Sequence, residues 1–148
     1  MPAATYLPSA SKILTKQAID MSDQNDRYDI GIQVQTRFIP EQSDLARKHH
    51  VFAYTITMKN QGQEPARLQT RHWVITDANG RVQEVHGEGV VGEHPYLVPG
   101  ESYRYTSGTV LETPVGSMHG RYRWTADDGT EFEAPIPAFT LAIPGALH

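Results

Sequence analysis

An antiparallel β-sandwich of seven or eight strands, immunoglobulin-like or fibronectin type III-like, is the all-β fold that this 148-residue sequence predicts. Three observations carry the prediction. From residue 29 onward apolar residues alternate with polar ones at a period of two. Turn signals arrive at spacings of roughly eight to twelve residues. No apolar stripe of helical period is long enough to form a helix. A chain of this length buries roughly 65–70% of its unfolded surface in one core, so neither a second domain nor a metal or disulfide staple is needed.

Residues 1–28 hold Pro2, Pro8 and the polar run Ser22-Asp23-Gln24-Asn25-Asp26-Arg27. They offer too little apolar surface to offset the entropy of ordering, so a disordered N-terminal tail is expected ahead of a sandwich domain at 29–148. Met21 stands just before the first patterned strand, which suggests translation from that codon. The first strand follows, with Ile30, Ile32 and Val34 on one face and Phe38-Ile39 closing the run before Pro40. A polar loop, 41–50, leads into Val51-Phe52-Ala53-Tyr54-Thr55-Ile56-Thr57-Met58, which is dense in β-branched and aromatic residues and ends at Asn60-Gln61-Gly62. A third strand spans 66–76, and Asp77-Ala78-Asn79-Gly80 turns it back onto a fourth at 81–85. Beyond a glycine-rich loop and the Val98-Pro99-Gly100-Glu101 turn come strands at 103–112 and 118–126. Asp127-Asp128-Gly129 makes a further hairpin into 131–134, and a separate closing segment runs through Phe139-Thr140-Leu141-Ala142-Ile143.

Composition excludes several functions. There is no cysteine, so disulfides, thiolate chemistry, iron–sulfur clusters and cysteine-rich zinc sites are ruled out. The net charge of −4 is interspersed and no basic patch stands out, so no nucleic-acid partner is expected. No segment has signal-peptide or membrane-spanning character, which gives a cytoplasmic, non-membrane expectation.

Gly87-Glu88-Gly89-Val90-Val91-Gly92 matches the G-x-G-x-x-G spacing of dinucleotide-binding turns. Pro95 and Pro99 deny it the following helix whose N-terminus would receive a pyrophosphate. The glycines then serve either a bulged loop with positive φ or a backbone nest for an anion. His86 and Glu88 with His94, and His72 on the paired strand, have the residue types of a divalent-metal site, but the spacing is too weak to assign one. No metal and no cofactor are expected. His49, His50 and His148 read as exposed. Ser107, and Ser117 beside His119, lack a nucleophile-elbow sequence, and Glu131 with Glu133 reads as a solvated strand edge rather than a catalytic carboxylate pair, so no enzymatic activity is expected. Tyr54, Trp73, Tyr103, Tyr105, Tyr122, Trp124 and Phe139 should supply most of the core. Alternation turns some of them outward, where Arg71 and Arg104 would frame an interaction surface.

The runs Tyr54–Asn60, Arg71–Asp77, Val85–Gly92, Pro99-Gly100-Glu101, Tyr105–Gly108 and Glu112–Gly120, with Pro135–Phe139 and Leu141, together resemble the ApaG family, also called CorD, from about residue 30 to the end. The resemblance implies a fibronectin type III-like sandwich and a link to cobalt tolerance and magnesium efflux. It also implies proximity to a diadenosine tetraphosphate hydrolase in bacteria. Related eukaryotic domains, attached to F-box and polymerase-interacting proteins, look like protein-binding modules. The expected function is a non-enzymatic binding module that meets a protein partner across one sheet face or through the loops at Gly87–Gly92 and Pro114–Gly120, with homo-oligomerisation through edge strands open and one edge blunted by Pro135 and Pro137. The alternative is a small-ligand sensor for pyrophosphate, nucleotide or divalent cation at Gly87–Gly92.

Overall fold

In the computed structural model, which describes residues 26–146, the period-two pattern becomes eight strands. They are β1 (Ile30–Phe38), β2 (His50–Asn60), β3 (Ala66–Asp77), β4 (Val82–Glu88), β5 (Tyr96–Leu97), β6 (Ser102–Leu111), β7 (Val115–Ala126) and β8 (Glu131–Ala142). A sheet in the order β1-β2-β6 lies against a second in the order β4-β3-β7-β8, and β5 pairs with β3 beside β4. Every pairing is antiparallel, and the architecture is the expected sandwich. The loop between β1 and β2 contains two short 3-10 turns, Pro40–Gln42 and Leu45–Arg47.

β2 illustrates how sequence becomes core. Phe52, Tyr54, Ile56 and Met58 fall on one face and are buried, while the intervening residues are not. Its two buried polar ends are both satisfied. His50 Nδ1 bonds the Leu111 carbonyl, and the Asn60 amide donates to the carbonyls of Glu64 and Leu97 while its oxygen accepts from Gly62 N–H. His50 is therefore a core residue, contrary to the expectation of exposure, which describes His49 correctly. From the opposite sheet Leu68, Trp73, Ile75, Met118, Tyr122, Trp124 and Leu141 complete the interior.

One expectation about local structure is corrected. β8 runs unbroken from Glu131 to Ala142 through Pro135 and Pro137. It is an edge strand paired on one side only, and its register to β7 shifts between Met118 and Gly120, so Pro137 sits in the irregularity, where a missing N–H interrupts no ladder. The residues just before the expected domain start at 29 are tied to the sandwich. Arg27 pairs with Glu64 and accepts from Gln63 and Glu64 N–H through its carbonyl, and the Tyr28 ring lies 5.4 Å from that of Phe132. Residues 1–25, with the Met21 start, lie outside the described residues.

One flank of the sandwich is closed and the other is open. β1 packs against β8, whereas a cavity of about 380 Å³ separates β4 from β6, lined among others by Tyr54, Arg71, Trp73, Val85 and Ser107. The far end of the open flank is clamped by the Arg81–Glu112 ion pair at 2.9 Å and by Ala78 N–H donating to Thr113 Oγ1.

Candidate functional site

The glycine-rich segment leaves β4 and forms a tight hairpin. Val90 N–H donates to the Glu93 carbonyl and Glu93 N–H to the Val90 carbonyl, which leaves Val91 and Gly92 as a two-residue loop with φ of +43° and +81°. Positive φ at both central residues marks a type I′ turn. Gly89, at φ +60°, begins the reversal, and its N–H donates to the Gln69 carbonyl. A Cβ there would lie 2.2 Å from the Glu93 carbonyl oxygen, so the position admits only glycine. Of the donors a nest would need, those of Gly89, Val90 and Glu93 are thus already engaged. Val90 is buried beneath the turn, and Val91 is 56% exposed at its tip. Gly87 lies within β4 and makes room for a side chain: the Arg71 guanidinium crosses over it and donates to the carbonyls of Glu88 and Gly89 at 2.9 and 2.8 Å. Arg71 therefore holds the loop rather than framing an outward patch.

The outward residues of β4, β3, β7 and β8 form a second feature. His86 pairs with His72, His72 with Arg121, Thr70 with Arg123, and Arg123 with Glu133, all on the solvent side of the sheet. Short Thr70 between long neighbours leaves a polar trough of about 360 Å³. The rings of His72 and His86 stack at 4.0 Å and 11°. Glu84, two residues along β4 on the same face, accepts from His72 Nε2 at 2.9 Å and lies 3.8 Å from His86 Nε2. The hydrogen bond from His72 is the main reason that the Glu84 carboxyl is held below its ordinary range. The sequence correctly joins His72 to His86 as neighbours on paired strands. His94 is elsewhere: its Nδ1 bonds the Leu68 carbonyl at 3.0 Å. Sequence reasoning misses Glu84, although the signal is present. Counting outward from the Asp77–Arg81 pair of the hairpin brings His72 opposite His86 and puts Glu84 on their face.

The remaining candidates resolve into packing. Tyr103, Tyr105, Tyr122 and Trp124 all point inward, so none forms an outward aromatic surface; among the described residues Tyr96 is the exposed ring, stacked under Arg67 and bonded to Asp127. The Tyr105 and Tyr122 hydroxyls bond each other inside the core at 2.6 Å, and burial pushes both far above the usual tyrosine range. Glu131 and Glu133 are ion-paired to Arg123 and Arg121. Ser107 is on the inner face of β6 and Ser117 on the outer face of β7, in different sheets.

A family model described as the ApaG domain matches residues 40–126. Proteins named ApaG are 57% identical in Azoarcus sp. strain BH72, across 84% of this chain and 98% of that one, and 58% identical in Dechloromonas aromatica, across 86% and 100%. A crystal structure described as an ApaA protein from Bordetella pertussis superposes with a TM-score of 0.80 at 49% identity, covering 82% of this chain and 98% of the other. The runs of residues that suggest the resemblance lie mostly within the matched region, and the sandwich architecture is shared with that solved structure. The chain belongs to the ApaG family.

Proposed function

We propose that this chain is a non-catalytic binding module that takes up an extended segment of a protein partner along the outer edge of β6, beside the open flank of the sandwich. The observation that carries the reading is that edge itself. β6 is a ten-residue strand without proline, paired with β2 on one side and with no strand on the other among the described residues.

The phase of its hydrogen bonds follows from its neighbour. Asn60 N–H bonds the Glu101 carbonyl and Ile39 N–H bonds the Val51 carbonyl. Even-numbered residues of β2 therefore bond toward β6 and odd-numbered ones toward β1. On β6 the backbone groups of Arg104, Thr106, Gly108 and Val110 consequently face outward, ready to pair with an added strand. The other edges are guarded: β8 by prolines and by its contact with β1, and β4 by the charges of Glu84 and Glu88 on a shorter strand. Tyr54, Trp73 and Val85 line the adjacent cleft and offer apolar surface to side chains of the incoming segment.

On this reading the family's link to cobalt tolerance and magnesium efflux is exercised through the bound partner. The alternative, an anion or nucleotide at Gly87–Gly92, would rest on the N–H groups of Val91 and Gly92.

The test is crosslinking and affinity capture from the native cell with the wild-type chain and with Arg104→Pro, which removes one outward N–H and no ladder bond. Reproducible capture of one partner by the wild type, lost in a folded Arg104→Pro chain, is expected. Equal capture by both would refute the edge assignment. Capture that appears only on deleting residues 1–25 would make the chain's own N-terminal segment the occupant.

A further inference from the structure

We propose that His72, Glu84 and His86 form a binding site for a first-row divalent transition metal of the zinc class on the outer face of the β4-β3 pair. The two histidines are directly paired across the strands and their rings stack, so both Nε2 atoms approach the same Glu84 carboxylate. One ligand atom from each of the three residues lies within 4.8 Å of the other two, and the imidazole nitrogens stand 2.9 and 3.8 Å from Glu84, against the roughly 3.3–3.6 Å between ligand atoms of a tetrahedral ion with bonds of roughly 2.0–2.2 Å. A small rotation of His86, whose side chain is 69% exposed, closes the remainder.

Each ligand is differently constrained. His72 is 14% exposed and held by its packing, which fixes one corner of the site; Glu84 and His86 are more than half exposed and can adapt. In the absence of an ion the His72 Nε2–H bond to Glu84 makes Nδ1 a bare, buried lone pair. On coordination the proton moves from Nε2 to Nδ1, and one unsatisfied buried atom replaces another, so the exchange adds no new buried polar group. Arg121, the neighbour of His72 on β7, also acts on Glu84, but it is paired to Glu133 at 3.3 Å, and the Glu84 carboxylate is the charged group within hydrogen-bond distance of His72.

The donor set selects the class of ion. Two imidazoles and one carboxylate, with the fourth side open to solvent, suit zinc, nickel or copper. Magnesium and calcium require shells of oxygen atoms and find one carboxylate here.

The experiment is isothermal titration of the untagged full-length chain with zinc chloride, repeated with magnesium chloride, in a buffer that binds neither ion. One zinc per chain is expected, with affinity at least tenfold weaker in His86→Ala and in Glu84→Gln, and unchanged in His94→Ala and His119→Ala. Both key substitutions are at exposed positions, so folding is preserved, which circular dichroism verifies. In histidine-selective NMR the resonances of His72 and His86 should shift together on adding zinc. Zinc affinity that survives both substitutions, or falls equally in His94→Ala, would overturn the site. Magnesium binding of comparable strength that depends on Glu84 would overturn the assigned ion class.

Discussion

Val91 occupies the first central position of the type I′ turn at φ +43°. A β-branched residue there is a conformational outlier, because an L-residue in the left-handed region costs roughly 1–2 kcal/mol and branching at Cβ aggravates the clash. Asparagine tolerates the same conformation and is the favoured residue at this turn position. The loss on the other side of the comparison is small. Val91 is 56% exposed, so replacing it forfeits less than half of the roughly 1.5–3 kcal/mol that full burial of such a side chain contributes, and asparagine covers part of the same area. Val91→Asn is therefore expected to stabilise the fold by about 1 kcal/mol. Val91→Gly should gain less, since glycine loses roughly 0.5–1 kcal/mol in added unfolded-state freedom. Urea unfolding followed by fluorescence should give an unchanged m-value with the midpoint displaced upward, and a thermal scan should give a rise of about 2–4 °C. A Val91→Asn chain that is less stable than wild type at unchanged m would refute the strain argument and assign the valine a packing role that its exposure does not indicate.

The neighbouring glycines should separate in a stability series: Gly89→Ala, whose Cβ would meet the Glu93 carbonyl at 2.2 Å, should cost at least about 2 kcal/mol, whereas Gly92→Ala, with open space around it, should cost about 1 kcal/mol, measured by urea unfolding. Tyr105→Phe leaves the Tyr122 hydroxyl buried without its partner and should cost roughly 1–3 kcal/mol in the same assay, a size that an exposed tyrosine would not reach. Because burial raises both tyrosines, their contribution is fully present below the ordinary tyrosine range and is lost as pH rises above it; tyrosinate absorbance should report these two only as the fold opens at alkaline pH. At the acid end, the Tyr28 hydroxyl followed by Thr130 N–H lowers the Asp128 carboxyl, so the stability it supplies is present above the unfolded carboxylate value and disappears as pH falls through the folded one; Tyr28→Phe should flatten the acid limb of a stability–pH profile below about pH 4.

How much of this is legible in the sequence depends on the range over which each feature is encoded. The density of β-branched and aromatic residues in Val51–Met58 is a local signal, and it identifies β2 correctly; so does the Asp77–Gly80 turn for the β3–β4 hairpin. Pro135 and Pro137 point to a blunted sheet edge, which β8 is, but they also read as a break, because the sequence does not show that one strand runs on through them where their missing N–H groups are tolerated. The inward direction of Tyr103, Tyr105, Tyr122 and Trp124 depends on which face of each strand meets the other sheet, a tertiary fact that period two leaves undecided. The glycine motif is visible as a string, but its loop geometry depends on the φ of Val91, which no propensity for valine would supply. Glu84 is as close in sequence to His86 as Glu88 is, and only the hairpin register and the direction of the His72 ring show that His72 bonds the first of these rather than the second.

The two proposals occupy different parts of the molecule, and this makes them separable. The β6 edge borders the open flank between the sheets, while His72, Glu84 and His86 lie on the solvent side of the other sheet. They nevertheless share β4, whose inner residue Val85 lines the cleft and whose outer residues Glu84 and His86 flank it in sequence. β4 is the shorter strand at its sheet edge, anchored to β3 on one side alone and clamped at its turn by Arg81 and Glu112. An ion that joins β4 to β3 through His72, Glu84 and His86 would stiffen this strand and fix the wall of the cleft. If the two sites are coupled in this way, zinc should change the affinity of the β6 edge for its partner, and Glu84→Gln should abolish that change while leaving zinc-free binding intact. A partner affinity identical with and without zinc would leave both sites standing and show that β4 is rigid enough by itself.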